Sequence, residues 1–353
     1  MRYPEFLPEQ GTIGLVAPSF GCATEPYQST FQNAIKTWKA QGFQIVEGPN
    51  CRVSAGIGIS NTPALCGEEL NTAYASLESD VLFSCGGGEL MCEVIPYMDF
   101  EAMKAAKPKW FQGYSDNTNF TYLSTTILDT AAVYGPCAPN FGMSPWHPCL
   151  EDSMEFLKGK KLTFQGYPSW EKESLKDEEH PLVPYHTTEE TKYMVYVPKG
   201  EKASGIQPGE EVEMSVEGRL VGGCMDCLGT LLGTEFDHTK EFIKRYEKDG
   251  ILWFLEACDL NVMGIRRTIW QMKHAGWFEH AKGFLIGRPM HFDEGFLGLN
   301  QYHAVVDLLQ ELQVPMIMDV DFGHLPPAIP MVSGAYAKAT LTRGKFEITY
   351  DLR

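Results

Sequence analysis

Residues 107–120 have the sequence KPKWFQGYSDNTNF, in which an apolar strand ends where a helix begins. The strand passes through Trp110, and the corner that follows it contains Gly113, Ser115 and Asp116. A serine at such a corner has two interpretations. It caps the helix, or it is a nucleophile held at a tight strand-to-helix turn.

Strand-like and helix-like patterns alternate through the first 143 residues. The continuous apolar run TIGLVAPSF is typical of a buried strand, the following YQSTFQNAIKTWKAQG has helical periodicity, and DVLFSC is a further strand. This alternation predicts an α/β fold with a doubly wound, flavodoxin-like parallel sheet. Ligands bind at the carboxyl ends of such strands, where SCGGGE and GYSDNT both fall. The placement favours a functional site at Ser115 over a simple cap.

The rest of the chain has a different character. Residues 144–190 are rich in Pro, Glu and Lys with little periodicity, which predicts a linker and an exposed excursion. Short strands and two helices follow, so residues 191–353 are predicted to form a smaller, β-rich α/β domain. The first domain then covers residues 1–143.

Composition limits the classes of partner. The formal net charge of the 353 residues is −17, and this argues against binding to nucleic acid or to an anionic membrane surface. The N-terminal sequence lacks the pattern of a signal peptide, and no apolar run reaches the length of a membrane helix. The ten scattered cysteines indicate buried thiols in a reducing environment, so we expect a cytoplasmic protein.

Neither a metal nor an organic cofactor is expected. Cys224 and Cys227 have CxxC spacing, but a zinc ribbon needs a second such pair. A redox role stays open for this pair, and packing is the favoured interpretation. The run GGGELM lacks the third glycine of a dinucleotide fingerprint and the lysine of a phosphate loop.

A serine nucleophile needs a base and a group that orients the base. Among nine histidines, His324 follows the apolar strand VPMIMDVDF and lies between Gly323 and the stiff turn LPPAIP, so it is the best-placed base. Glu256 ends the apolar strand in ILWFLEACDL and is a candidate for the orienting acid. Asp259 is an alternative that position alone does not exclude.

The glycine run 86–88 supplies candidates for oxyanion binding. Glycine has no Cβ, so the backbone N–H groups of this loop can approach a substrate carbonyl. We expect N–H groups of this loop and the Asp116 amide to form the oxyanion hole, and Gly86, Gly88 and Asn117 to contact substrate. Asn117 stands where the Gly-x-Ser-x-Gly elbow of α/β-hydrolases has its last glycine.

Several blocks, in order, resemble the LD-carboxypeptidases, a family of serine peptidases that includes the microcin C self-immunity peptidases. The blocks are GTIGLVAPS, GGGELMCEVIPYMDF, KPKWFQGYSDNT, GRLVGGCMDCLGTLLGT, LWFLEACD with IRRTIWQM, IGRP and DFGHLPPAIPMVSGA. They extend over nearly the whole chain.

The resemblance implies a role for each matching position. Ser115 falls on the family's nucleophile, Glu256 on its acid and His324 on its base. It also implies an oxyanion hole around Gly87 and the Asp116 amide. The nucleophile would come from the first domain and the acid and base from the second, which predicts an active site at the domain interface. The resemblance further implies a homodimer.

Two further features concern the branch of the family that this sequence resembles and one position at which it departs from the family pattern. The segment VIPYMDF and the length around residues 165–190 resemble the microcin C immunity branch, in which an aromatic side chain stacks on a nucleobase. Trp170 is the best-placed counterpart of that side chain. The alternative is that Trp170 packs a loop onto the rest of the protein. Cys224 stands where the family commonly has asparagine. We therefore expect hydrolysis of a small peptidyl or aminoacyl-nucleotide amide. The alternatives are release of a terminal D-amino acid from a murein tetrapeptide, and peptide binding without turnover.

Overall fold

The computed structural model of the protein describes residues 1–200 and 204–353. The chain forms two compact units that do not follow a single cut in the sequence. The first unit contains Met1–Lys161, Glu173–His186 and Pro330–Ser333, and the second contains Leu162–Lys172, Thr187–Ile329 and Gly334–Arg353. Each unit is built around one main sheet.

The N-terminal 161 residues contain five strands and six helices. The strands are β1 (Thr12–Val16), β2 (Gln44–Glu47), β3 (Val81–Ser84), β4 (Trp110–Gly113) and β5 (Ala132–Tyr134). The helices are α1 (Tyr27–Ala40), α2 (Pro63–Ala75), α3 (Met91–Val94), α4 (Phe100–Ala105), α5 (Thr118–Thr126) and α6 (Pro148–Leu157). Short 3-10 helices lie at Ile95–Tyr97, Ser115–Asn117 and Ala138–Gly142.

The remaining described residues contain twelve strands and four helices. The strands are β6 (Thr163–Gln165), β7 (Ser169–Trp170), β8 (Glu189–Glu190), β9 (Met194–Val197), β10 (Gly205–Pro208), β11 (Met214–Cys224), β12 (Ile251–Glu256), β13 (Ala281–Gly287), β14 (Met316–Val320), β15 (Met331–Ser333), β16 (Tyr336–Thr342) and β17 (Lys345–Asp351). The helices are α7 (Met225–Leu231), α8 (Thr239–Arg245), α9 (Val262–His274) and α10 (Gln301–Leu309), with 3-10 helices at Gly209–Glu211 and Gln310–Leu312.

The first unit confirms the doubly wound prediction. Its sheet has the order β15-β5-β4-β3-β1-β2, and all neighbours are parallel except the antiparallel pair β15 and β5. The order β2-β1-β3-β4-β5 is that of flavodoxin-like folds. Strand β15 extends this sheet at its β5 edge.

Helices cover both faces of this sheet. Trp38 of α1 packs on Phe83 with ring centroids 5.1 Å apart, and Phe120 of α5 packs on Phe111 at 4.8 Å. Leu82 is the register partner of Phe111, so Phe83, the next residue along β3, points to the opposite face. Burial on both faces explains why these strands are continuous apolar runs.

The second unit has a nine-stranded mixed sheet of order β10-β9-β14-β13-β12-β11-β16-β17-β6. The four central strands β14, β13, β12 and β11 are parallel, and the outer strands pair in antiparallel fashion. Cys224, Glu256 and Gly287 therefore end neighbouring parallel strands at one edge of the sheet. Strands β7 and β8 form a separate two-stranded pair.

The predicted irregular excursion over residues 144–190 contains a regular helix, α6. Its buried positions include Leu150, Met154 and Leu157, which are spaced for one face, and His147 accepts a hydrogen bond from the Cys149 N–H at its start. The periodicity of this apolar face is difficult to recognise in the sequence because Pro, Glu and Lys residues surround it. The segment is also shared between the two units, so it is not one linker.

No helix within residues 1–200 and 204–353 combines the length and the apolar character that a transmembrane span requires.

Candidate active site

Ser115 occupies a strained position two residues after the end of β4. Its φ is +64°, in the left-handed region that non-glycine residues rarely adopt, and its N–H donates to the Tyr134 hydroxyl at 3.1 Å. Helix α5 begins at Thr118 with Asn117 at its N-cap position, so Ser115 does not cap it. The strained turn is the geometry expected of a serine presented at a strand-to-helix corner.

Gly87 lies directly against Ser115. A Cβ added at Gly87 would lie 2.8 Å from the Ser115 Cβ, 2.9 Å from its Oγ and 3.9 Å from the Asp116 nitrogen. Only glycine fits here without displacing the serine. The first unit thus brings together the nucleophile candidate and the two residues predicted to supply oxyanion donors.

The Asp116 carboxylate ties this turn to two neighbouring loops. Its Oδ2 accepts hydrogen bonds from the Ser19 hydroxyl and, at 2.9 Å, from the Met91 N–H, while its Oδ1 accepts one from the Asn119 amide at 2.9 Å. The Phe20 N–H also donates to the Gly87 carbonyl at 2.8 Å. The loop after β1 therefore holds both the glycine loop and the serine turn.

Asn117 and the flanking glycines differ in exposure. The Asn117 side chain is fully buried, and its Nδ2 donates to the Gly86 carbonyl at 2.7 Å and to the Tyr114 carbonyl at 3.0 Å. Gly86 and Gly88 are half-buried, as is Gly87. Asn117 thus holds the glycine loop in place, whereas the glycines expose backbone that a ligand can approach.

In the second unit, a buried Glu256 pairs with a half-buried His324. His324 Nδ1 lies 2.9 Å from Glu256 Oε2, and the glutamate side chain has no exposed surface. Because a carboxylate can only accept, Nδ1 carries the shared proton, and Nε2 is the nitrogen that exchanges a proton with other groups. Gly323 makes this contact possible: its φ is +104°, and an added Cβ would lie 2.7 Å from Glu256 Oε2.

The surroundings of His324 favour its charged form. Burial by itself lowers the pKa of His324, but the charge of Glu256 and hydrogen bonds with Cys258 and Glu256 outweigh it and raise that pKa well above the ordinary value. An imidazolium that forms here is therefore stabilised. This is the environment that a base needs when it accepts a proton from a nucleophile.

The structure distinguishes between Glu256 and Asp259, the two candidates for the acid that orients His324. Glu256 contacts His324, whereas Asp259 is exposed and its N–H donates to Asp226 Oδ1 at 2.9 Å. Sequence reasoning did not single out Asp226 or Cys258. The local signal for both residues is their proximity to the GGC and LEAC blocks. Their contacts join distant positions: Asp226 bonds residues 258–260, and Cys258 bonds His324.

The CxxC pair has the features of packing rather than of redox chemistry. A hydrogen bond with Cys227, burial and the charge of Glu256 raise the pKa of the Cys224 thiol well above its ordinary value. The thiolate is the reactive form of cysteine, so this environment suppresses reactivity. Across the described ranges 1–200 and 204–353, no group of three or more His, Cys, Asp or Glu side chains has a metal-binding arrangement.

Trp170 is buried inside the second unit. Its ring packs on Phe292 with centroids 5.0 Å apart, the Arg288 guanidinium lies 5.1 Å from its centroid, and only 4% of its surface is exposed. These contacts are those of the packing alternative. Stacking of Trp170 on a ligand stays a prediction.

The predicted site residues thus fall into two groups. Ser115, Asp116, Asn117 and the glycines belong to the first unit, and Glu256, His324 and Trp170 belong to the second.

Comparison with known proteins gives matches over both units. Residues 13–135 match the LD-carboxypeptidase N-terminal domain, and residues 217–339 match the LD-carboxypeptidase C-terminal domain. The microcin C7 self-immunity protein MccF of Escherichia coli is 24% identical over 92% of this chain and 88% of its own. A probable murein peptide carboxypeptidase of Bacillus subtilis is 25% identical over 95% of this chain and 90% of its own.

Solved structures share the fold. The structure of MccF in complex with glutamyl sulfamoyl guanosine aligns with a TM-score of 0.78 at 19% identity, covering 99% of this chain and 98% of that one.

Proposed function

The chain belongs to the LD-carboxypeptidase family, and from that premise we propose that it is a cofactor-independent serine peptidase with Ser115, His324 and Glu256 as its catalytic triad. Family membership supports a peptidase. The observation that carries the serine mechanism is the 2.9 Å contact between His324 Nδ1 and the fully buried Glu256, which is the acid–base half of such a triad.

In the proposed reaction, the Ser115 hydroxyl attacks the carbonyl carbon of a scissile amide. His324 Nε2 takes the hydroxyl proton and delivers it to the leaving nitrogen, while Glu256 holds the tautomer and stabilises the imidazolium. The N–H groups of Gly87 and Asp116 hold the oxyanion. Water then hydrolyses the acyl-enzyme with His324 as base, which restores the serine.

The proposed substrate is an aminoacyl- or peptidyl-nucleotide amide. The MccF relative is a microcin C7 self-immunity protein, and its solved complex holds an aminoacyl sulfamoyl nucleoside. A murein tetrapeptide is the second candidate, supported by the similarity to the probable murein peptide carboxypeptidase. The protein would act as a homodimer in the cytoplasm.

Replacement of Ser115 by alanine tests the mechanism. The purified wild-type protein and Ser115→Ala are assayed by mass spectrometry on a panel of aminoacyl sulfamoyl nucleosides and murein tetrapeptides. Loss of a triad nucleophile is expected to reduce kcat on the order of 10³-fold or more, because no other group forms the acyl-enzyme. Ser29→Ala, in α1, is the matched control and is expected to retain full activity.

Covalent labelling separates turnover from binding. A fluorophosphonate reagent is expected to label the wild-type protein once, at Ser115, and to leave Ser115→Ala unlabelled. Undiminished turnover by Ser115→Ala rejects the triad. Tight peptide binding without labelling or turnover identifies a binding protein instead.

A further inference from the structure

The Asp226 carboxylate is the acceptor for three successive backbone N–H groups. Its Oδ2 accepts from the Cys258 N–H at 3.0 Å, and its Oδ1 accepts from the Asp259 and Leu260 N–H groups at 2.9 and 3.1 Å. The Cys224 thiol also donates to Oδ2 at 3.2 Å. Consecutive amides converging on one carboxylate form an anion-binding nest.

This nest lies immediately after the catalytic acid. Glu256 is the last residue of β12 and is the register partner of Cys224, the last residue of β11. The turn that follows Glu256 contains Cys258, whose side chain hydrogen-bonds with His324. Glu256, directly before this turn, and Cys258, within it, both interact with the His324 imidazole. By binding the turn, the Asp226 carboxylate therefore fixes the position of both.

We propose that Asp226 is a positioning residue for the Glu256–His324 pair. It acts through the turn of residues 257–260 and does not touch substrate. The inference rests on the proposed function, since positioning matters for catalysis only if His324 is the base.

The physical consequence is a change in the proton affinity of His324. Its titratable neighbours are Glu256 and Cys258, and their charge and hydrogen bonds raise its pKa against the opposing effect of burial. If the turn loses its anchor, these contacts lengthen and the pKa of His324 falls toward its ordinary value. The base must be neutral to accept a proton, so the acid limb of the kcat/KM profile moves to lower pH while its plateau falls.

Two substitutions at Asp226 are expected to lower kcat/KM to different extents. Asp226→Ala removes all the acceptors, and Asp226→Asn keeps one oxygen but presents an N–H₂ group to one of the turn amides. Misplacement of catalytic groups by about 1 Å costs on the order of 10²-fold in rate. We expect kcat/KM to fall by about 10- to 100-fold in Asp226→Ala and less in Asp226→Asn, mainly through kcat.

Asp237 provides the matched control. Its carboxylate accepts from the Gly233 and Thr239 N–H groups and from the Trp277 indole, at 3.0 to 3.2 Å. Among the described residues, none of its hydrogen bonds joins it to the turn of residues 257–260. Asp237→Ala is expected to lower the Tm without moving the pH profile.

The decisive measurement is an NMR titration of the His324 ring without substrate, with the signal assigned by its loss in His324→Gln. We expect the titration midpoint to be lower in Asp226→Ala and Asp226→Asn than in the wild-type protein and Asp237→Ala. An unchanged midpoint in Asp226→Asn, or the same shift in Asp237→Ala, overturns the proposal. Because this titration needs no turnover, it stands even if the Ser115 mechanism is rejected by the labelling experiment.

Discussion

At the scale of single residues, Gly87 has no space for a side chain of its own beside Ser115. In Gly87→Ala the new methyl group would lie 2.8 Å from the Ser115 Cβ, so the serine or the glycine loop has to move. We expect kcat to fall on the order of 10²-fold, because the proposed nucleophile and the proposed oxyanion donors lose their common geometry. Steady-state kinetics with the preferred substrate measures this loss.

Gly135→Ala, directly after β5, is the control. A Cβ at Gly135 would have its nearest neighbour at 3.4 Å, an ordinary contact, so this variant is expected to keep its activity. Equal activities for Gly87→Ala and the wild-type protein would show that the glycine loop takes no part in catalysis.

At the scale of elements, β14 contains an irregularity at Asp319, and we expect this residue to make the stability of the protein depend on pH. Asp319 has a φ of +63°, and the register of β13 with β14 shifts beside it, so that Gly287 pairs with Val320. Its carboxyl group accepts a hydrogen bond from the Tyr302 hydroxyl at 2.8 Å and lines a cavity with Ile286. Burial raises the pKa of Asp319 to about 6.

The raised pKa of Asp319 determines how this group changes the stability of the protein with pH. The folded protein holds the Asp319 proton more tightly than the unfolded chain, so this group's contribution to stability is fully present below about pH 4 and is lost as the pH rises through about 6. Asp319→Asn cannot ionise and tolerates a left-handed φ. It is expected to gain on the order of 1–3 kcal/mol relative to the wild-type protein between pH 4 and pH 8.

Thermal unfolding followed by circular dichroism at these two pH values tests the prediction. The Tm of Asp319→Asn minus that of the wild-type protein should be larger at pH 8. An equal difference at both pH values would mean that Asp319 is ionised in the folded protein throughout this range.

At the scale of the whole molecule, the chain passes repeatedly between the two units. The first unit takes its last strand from β15, where Met331 and Val332 are fully buried and the Thr125 hydroxyl donates to Ser333 Oγ at 2.9 Å. Burial of two such side chains contributes about 3–6 kcal/mol, a large part of the 5–15 kcal/mol by which a domain is stable. The N-terminal unit is therefore incomplete without residues near the other end of the chain.

A fragment of residues 1–161 is expected to fold poorly by itself. Without β15, strand β5 becomes an exposed apolar edge, which favours aggregation. Size-exclusion chromatography and thermal unfolding measure the outcome. A monomeric fragment that unfolds cooperatively at the Tm of the intact chain would contradict this view of the unit.

Most of the fold could be predicted because its signals are local. The apolar runs of β1, β3 and β4 and the periodicity of α1 identify buried parallel strands and an amphipathic helix from consecutive residues. Helix α6 is not predicted from the sequence because the proline-rich and charged residues of this region obscure its narrow apolar face. The positions of Ser115, Glu256 and His324 at strand ends are equally local features, which is why the sequence indicates them as candidates.

The sequence by itself determined the doubly wound sheet of the N-terminal part, the strand-end placement of the candidate triad and the family resemblance. Only the tertiary structure decided that Glu256 rather than Asp259 meets His324, that Trp170 packs on Arg288 and Phe292, and that Asp226 anchors the turn after Glu256. The physical reason is distance along the chain. Periodicity records which face of an element is buried, but a hydrogen bond between residues tens of positions apart depends on how the strands that carry them pair.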